Sequence, residues 1–393
     1  MTTEQLFIFF LRQAIWGTKD TPKTPIEGPV DWPFLLHLCA IHGTGPLVFN
    51  EVLKIAAHPT NGICLLDSLK TQMQAVCAQN MMAQAGWKQT IADTWKALTD
   101  KGIHPILLKG FALSQLYPLP YLRQWGDLDI WAGIEQYHAA CQALCEAFPQ
   151  AQHQDEEWWN ILTHFCCSLP DGHYIELHRV SMTFDLTCDH RYYQQLERDG
   201  MAPVHCVPMD MDGLTVFAPE LKFNLLFVFV HAWKHFVNGG MPFKQLCDLA
   251  LLAHTITDRD GSAAYLSRHL RRLHLLFSWR IVGYVLVHAL ALPQDEWPLY
   301  SDSACVRRHG EKLLRKVLYI GQNDRSGIDV NSYEKALQMP LLKRKLKTFV
   351  GKFNYLNKLW PYAPGYALYR LWASLCNGVR RTLTGEKMGK YNL

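Results

Sequence analysis

The sequence contains no uncharged apolar run that approaches the roughly 20 residues needed by a membrane-spanning helix. The most apolar stretches, residues 223–233 and 281–292, are about half that length. Residues 6–11 are apolar, but they follow Glu4 rather than a basic segment and precede no small-residue cleavage site. We therefore expect neither a transmembrane span nor a signal peptide, and we expect a cytoplasmic protein.

Several common functional motifs are also missing. The chain has no Cys-x-x-Cys, no Walker phosphate loop, no Gly-x-Gly-x-x-Gly and no Gly-x-Ser-x-Gly. The sequence therefore does not indicate a P-loop NTPase, a Rossmann-type dinucleotide-binding protein or a serine hydrolase. The 12 cysteines are scattered through a chain that is large enough to form a core without disulfides, so free thiols are expected.

Composition indicates a globular protein of two or three units. The chain has 393 residues, of which 49% are hydrophobic and 19% charged. Its net charge of +4 conceals an asymmetry, because residues 301–393 hold 18 Lys and Arg against 6 Asp and Glu. Such a basic segment indicates an anionic partner, and nucleic acid, a phospholipid surface or a polyanionic substrate would each fit.

Hydrophobic periodicity divides the chain into three regions. It predicts a helical region over 1–99, a mixed α/β core over 100–215 and a helical region with a basic tail over 216–393. In the last region we expect one helix over 263–291 and another over 341–356. The expected fold class is therefore α+β, with a small mixed sheet between two helical arms.

The strongest chemical signal is a pair of carboxylates, Asp127 and Asp129. Two residues apart on a strand, they share one face about 6 to 7 Å apart, and could support divalent cations for phosphoryl transfer. Asp-x-Asp recurs at 210/212 and 258/260, but those pairs lie in a turn sequence and at a helix end. Only the first pair alternates with apolar residues after a glycine turn.

Four further residues flank this pair in the sequence. Lys109-Gly110 follows an apolar strand, where glycine lets the backbone approach a phosphate and lysine supplies a positive charge. Glu176 lies in the alternating segment 174–178, where it could complete a metal site or accept a proton. Arg123 could hold a triphosphate, or pair with an aspartate and position the loop.

These residues resemble a known superfamily. Gly110, the strand with Asp127 and Asp129, and the later Glu176 look like the signature of the DNA polymerase β-type nucleotidyltransferases. More narrowly, Leu-Lys-Gly-x-Ala-Leu, Gly-Asp-Leu-Asp-Ile and Ile-Glu-Leu-His are similar to a largely uncharacterised bacterial group of nucleotidyltransferase-like proteins. The similarity covers residues 106–179, and that group also tends to carry a helix resembling the segment 231–235 and a later aspartate such as Asp248.

The resemblance implies a polymerase β-type core and transfer of a nucleoside monophosphate from a nucleoside triphosphate such as ATP, with release of pyrophosphate. It implies two Mg²⁺ ions, or Mn²⁺ in their place, on Asp127 and Asp129, with Glu176 as the third carboxylate. Residues near the phosphates would be Lys109, Gly110, Ser114 and Arg123. One departure is Phe111, because the superfamily usually has Gly or Ser directly after the turn glycine.

Two histidine-containing groups are further candidates for a functional site. His231, Lys234 and His235 occur at a spacing that places two imidazoles on one helical face, where they could line a nucleotide or acceptor cleft, hold a metal, or pack structurally. A second set lies within a predicted strand pair without tetrahedral-site spacing, which favours core or surface roles. This set consists of His164, Cys166, Cys167, His173 and His178.

The sequence therefore predicts a metal-dependent nucleotidyltransferase that acts on an unidentified acceptor. The alternative is a non-catalytic nucleotide-binding or partner-binding protein that retains the fold, including a peripheral factor of envelope polysaccharide production. For the latter, the basic aromatic stretch 341–358 would provide the membrane contact.

Overall fold

The computed structural model of the chain describes residues 1–17, 30–57, 65–159, 163–320 and 359–384. In these ranges, helices surround one five-stranded mixed sheet and one two-stranded hairpin. The predicted fold class, a small mixed sheet flanked by helical regions, is confirmed.

Four helices precede the sheet. They are α1 (Thr3–Trp16), α2 (Trp32–His42), α3 (Gly45–Ala56) and α4 (Asp67–Thr99). Local chemistry sets their ends: the Thr2 hydroxyl accepts a hydrogen bond from the Gln5 N–H at 3.3 Å, and Gly17 and Gly43 adopt the left-handed conformation after α1 and α2. The helical pattern over residues 65–98 forms one 33-residue helix, α4.

Five short strands form the main sheet. They are β1 (Ile106–Leu107), β2 (Leu128–Trp131), β3 (Gln152–His153), β4 (His164–Ser168) and β5 (Tyr174–His178). Their spatial order is β1-β2-β5-β4-β3, with β2 and β5 parallel and the other neighbours antiparallel. The helices among them are α5 (Phe111–Ser114), a 3-10 turn (Pro120–Leu122), α6 (Gly133–Ala147) and α7 (Glu156–Trp159).

A second group of helices follows the sheet. Its elements are α8 (Thr187–Gly200), the hairpin strands β6 (Val207–Met211) and β7 (Leu214–Ala218), α9 (Leu221–Asn238), α10 (Phe243–His254), α11 (Arg259–Arg272), α12 (Leu276–Leu290), a 3-10 turn (Gln294–Glu296), α13 (Ala304–Ile320) and α14 (Pro364–Thr384). The turn expected around Asp210 and Asp212 joins β6 to β7, with Asp212 and Gly213 both at positive φ.

The prediction of a single helix over 263–291 is wrong, because the structure has two helices there, α11 and α12. His274 adopts φ +59 between α11 and α12, and this left-handed residue ends the first helix. The apolar periodicity continues across the break because both helices face the same core, so the pattern alone did not reveal the interruption. The helix predicted over 341–356 lies outside the described residues.

The two helical regions share one apolar core. Phe7 of α1 packs edge-on against Phe243 of α10, with ring centroids 5.4 Å apart, and α9, which is apolar on nearly all sides, packs against α10 in the same cluster. A second cluster joins the sheet to α6 and to the C-terminal half of α4, where Trp87 and Trp95 are buried. The sheet therefore packs against α4, from the N-terminal helical region, and against α6.

The described parts of the basic C-terminal region are residues 301–320, which include α13, and residues 359–384, which include the helix α14. One face of α14 exposes large apolar side chains, among them Leu368, Trp372 and Val379. No helix among the described residues is both long and apolar enough to cross a membrane. The stretch 341–358, which holds 6 of the 18 basic residues behind the predicted anionic contact, is outside the described residues.

Gly283 provides a test of the packing around α12. The Trp297 indole lies directly over it and stacks on Trp279 with ring centroids 4.0 Å apart, so an added methyl group would overlap the indole. Overpacking of this kind costs about 1–3 kcal/mol. We expect Gly283→Ala to lower the free energy of unfolding in urea by that amount.

The matched control is Gly365→Ala, because no atom lies within 4 Å of the position its methyl would occupy. Its stability should equal or slightly exceed that of the wild type, because alanine is favoured over glycine in a helix. A Gly283→Ala protein as stable as this control would contradict the described contact.

Candidate active site

Strand pairing places two carboxylates side by side at the centre of the sheet. In the parallel pair of β2 and β5, Asp129 lies directly opposite Glu176. Neighbouring residues in register project from the same face of a sheet, and so does Asp127, two residues before Asp129. Asp129 is buried, whereas Asp127 and Glu176 are partly exposed. The three predicted carboxylates therefore line one face that remains open to ligands.

Asp129 is the most strongly held of the three. Its Oδ1 atom lies 3.0 Å from the Lys109 ammonium and 2.8 Å from Nε2 of His178. Burial alone would raise the pKa of Asp129, but the lysine charge and the histidine hydrogen bond hold this pKa well below its usual range. Asp129 is thus ionised, paired with the Lys109 ammonium group and hydrogen-bonded to His178.

The other two carboxylates differ in their electrostatics. Burial and the adjacent Asp129 charge raise the pKa of Asp127, and the Lys109 charge opposes this increase in part. Burial would raise the pKa of Glu176 as well, but the hydrogen bond with His178, whose Nε2 lies 3.5 Å from Oε2, lowers it. Negative charge therefore concentrates here and favours a cation.

A glycine turn brings Lys109 to this charge. Gly110 has φ +50, and a Cβ atom there would lie 3.2 Å from the Asp127 carbonyl oxygen and 3.4 Å from the Trp125 ring. Only glycine combines this conformation with such close approach to β2. The Asp129 and Asp127 charges raise the pKa of Lys109 despite its burial, so its ammonium group is charged.

Arg123 holds the glycine turn in place. Its guanidinium donates two hydrogen bonds to Asp248 of α10, at 2.6 and 2.7 Å, and a third at 3.0 Å to the Gly110 carbonyl oxygen. Tyr117 also donates to Asp248 at 2.8 Å. Of the two roles considered for Arg123, these contacts match pairing with an aspartate that positions the loop.

Ser114 has a local role in the structure. It is buried, and its hydroxyl donates to the Phe111 carbonyl oxygen at 2.6 Å within the four-residue helix α5. This contact stabilises the turn that follows Gly110.

Helix α9 places His231 against Lys109 and His235 against His231. Nε2 of His231 lies 3.3 Å from the Lys109 ammonium and 3.1 Å from Nε2 of His235. Lys234 instead donates to the Thr183 carbonyl oxygen, and burial lowers its pKa to about 8. The structure therefore connects the two histidines, but not Lys234, with the carboxylates through Lys109.

Two contributors were not assigned to the site from the sequence. His178 lies two residues after Glu176 on β5, so the strand alternation could have placed it on the same face. The sequence instead favoured a core or surface role for His178, because it belongs to a set of histidines and cysteines without metal-site spacing. Lys244 of α10 has no such signal. Burial and the Arg123 charge lower its pKa to about 8, and its charge acts on Asp127.

One group of residues at this site could hold a metal ion. Ligand atoms of Asp129, Glu176 and His178 all lie within 4.8 Å of one another. Carboxylate oxygens suit Mg²⁺ or Mn²⁺, and Asp129 already has one cationic partner, the ammonium group of Lys109. Asp127 is outside this tight group, although its charge contributes to the same field.

The chain belongs to the family described as uncharacterised nucleotidyltransferase, whose family model matches residues 28–291. This match spans more than half of the chain, and it includes every candidate site residue. The predicted resemblance to nucleotidyltransferases is thereby confirmed.

Among solved structures, the chain is similar to an antigenic nucleotidyltransferase-like protein from Paracoccidioides brasiliensis. The two are 13% identical, the match covers 52% of this chain and 92% of that chain, and the TM-score is 0.33. No curated protein matches. The family assignment rests on the family model alone.

The Arg123–Asp248 pair allows a direct test of how the site is held together. Removing one partner of a buried ion pair leaves an uncompensated charge and typically costs about 3–5 kcal/mol. We expect Arg123→Met to destabilise the protein by this order in urea unfolding, because Asp248 is buried. The double variant Arg123→Met/Asp248→Leu should recover much of the loss.

A double-mutant cycle provides the control. If the effects of Arg123→Met and Asp248→Leu simply add, the two side chains do not act as a pair and the described contact is wrong.

Proposed function

We propose that the protein is a metal-dependent nucleotidyltransferase. It would transfer a nucleoside monophosphate from a nucleoside triphosphate to a nucleophilic acceptor and release pyrophosphate. The observation that carries this proposal is the parallel register of β2 and β5, which sets Asp129 beside Glu176 with Asp127 on the same face. Family membership supports the same reaction class.

The donor set fits hard divalent cations. Asp127, Asp129 and Glu176 supply carboxylate oxygens, and these are the residues that would hold Mg²⁺ or Mn²⁺. When bound, such an ion supplies charge neutralisation at the phosphate that undergoes substitution. The His178 hydrogen bond fixes the orientation of Asp129, in the manner of an outer-sphere partner.

The cationic residues have a complementary task. Lys109 is charged and lies at the glycine turn, where it can bind phosphate oxygens of the triphosphate. Lys244 lies near the same carboxylates and adds a second positive group. During transfer, a bond forms between the acceptor atom and the α-phosphorus, the bond from that phosphorus to pyrophosphate breaks, and the acceptor atom releases its proton to solvent.

The first test is calorimetric titration with ATP, CTP, GTP and UTP, with Mg²⁺ or with EDTA. We expect one nucleotide to bind in a metal-dependent manner. Asp129→Asn and Glu176→Gln should each abolish this binding or reduce turnover by about 100-fold or more, because both remove charge that faces the reacting phosphate.

A matched control exists in the same chain. Asp212 also belongs to an Asp-x-Asp pair, but it is exposed in the β6–β7 turn, and asparagine tolerates its left-handed conformation. Asp212→Asn should therefore bind and turn over nucleotide like the wild type. Metal-dependent binding without any transfer to candidate acceptors would instead favour a non-catalytic nucleotide-binding protein, and no binding of any triphosphate would contradict the proposal.

A further inference from the structure

Strand β4 brings softer metal ligands next to the carboxylates. In its antiparallel pairing with β5, Cys166 lies opposite Glu176 and His164 lies opposite His178. Because residues two apart on a strand share a face, the thiol and the imidazole project on the side of Glu176. The rings of His164 and His178 are 5.4 Å apart, which confirms this common face.

These residues form a compact donor group. Ligand atoms of His164, Cys166 and Glu176 lie within 4.8 Å of one another, and all three side chains are partly exposed. One nitrogen, one sulfur and one oxygen donor make up the set. This combination matches the ligands of Zn²⁺ and does not match the all-oxygen preference of Mg²⁺.

The surroundings restrain two of the three ligands. Nδ1 of His164 lies 3.2 Å from the Thr163 hydroxyl, which orients the imidazole ring. The backbone N–H of Cys166 donates to the Gln154 side chain at 3.2 Å, and this bond anchors the strand where the thiol projects. Such outer contacts are typical of metal sites, where they fix the geometry of the ligands.

We propose that His164, Cys166 and Glu176 form a Zn²⁺ site that adjoins the Mg²⁺ site of the proposed transferase and shares Glu176 with it. Three protein ligands leave one tetrahedral position for water or for another small ligand. The Cys166 thiol must lose its proton to solvent to become a ligand, so binding releases a proton and involves no redox change.

The two metal sites share Glu176. Zn²⁺ bound at His164 and Cys166 takes up the carboxylate that the proposed transferase reaction also requires, so Zn²⁺ should inhibit nucleotide transfer. Only this consequence rests on the proposed function. The Zn²⁺ site itself can be measured without any nucleotide.

The experiment uses the full chain after treatment with EDTA and removal of the chelator, titrated with Co²⁺ as a spectroscopic probe and with Zn²⁺ against a chromogenic chelator. We expect one equivalent of Co²⁺ to bind with a thiolate-to-cobalt charge-transfer absorption that Zn²⁺ then removes. Excess Mg²⁺ should not displace either ion. Cys166→Ser should abolish the thiolate absorption, and both Cys166→Ser and His164→Ala should weaken Zn²⁺ binding at least about 10-fold.

Two controls separate this site from its neighbours. Cys305, an exposed thiol with its sulfur 3.8 Å from Nδ1 of His309, offers a rival pair of ligands, so Cys305→Ser should retain the absorption. Asp129→Asn should also retain it, because Asp129 belongs only to the carboxylate group. Circular dichroism and thermal melting of each variant establish that it is folded.

The proposal is overturned if Co²⁺ binds without thiolate absorption, if Cys166→Ser and His164→Ala both bind Zn²⁺ like the wild type, or if Cys305→Ser removes the absorption. Failure to bind any nucleotide would overturn the proposed transferase and leave this result unaffected. Absence of Zn²⁺ binding by a protein that still binds nucleotide would overturn the Zn²⁺ site and leave the proposed transferase unaffected.

Discussion

The burial of negative charge between β2 and β5 is the constraint on which the rest of the site depends. Asp129 is 3% exposed and faces Glu176 across the parallel pair, where two like charges repel each other. Lys109 and His178 offset this cost by direct contact with Asp129. Gly110 is required for the same reason, because only a turn without a side chain lets Lys109 approach β2 so closely.

The helices contribute more than a scaffold to this arrangement. Helix α10 supplies Asp248, which pairs with Arg123, and Arg123 in turn donates a hydrogen bond to the Gly110 carbonyl oxygen. Helix α9 supplies His231, which contacts Lys109. Both helices belong to the apolar core that they share with α1. The position of a single lysine therefore depends on packing contributed by both ends of the chain.

The candidate residues that could be selected from the sequence are those with strong local signals. Sequence reasoning identified the Asp127/Asp129 pair, the Lys109–Gly110 turn and Glu176, because strand alternation and glycine turns are visible over a few residues. It was wrong about one helix over 263–291, where His274 interrupts a periodicity that continues on both sides. It gave no reason to choose Lys244, since nothing near that residue in the sequence marks it.

The sequence by itself determined the fold class, the family and the chemical types of the candidate ligands, because these depend on composition, periodicity and short motifs. Only the tertiary structure decided which groups meet. The register of β4 against β5 placed Cys166 beside Glu176, and the docking of α10 gave Arg123 its aspartate. Contacts of this kind join residues that are 10 to 125 positions apart, and such pairings are set by the global packing of strands and helices rather than by local sequence.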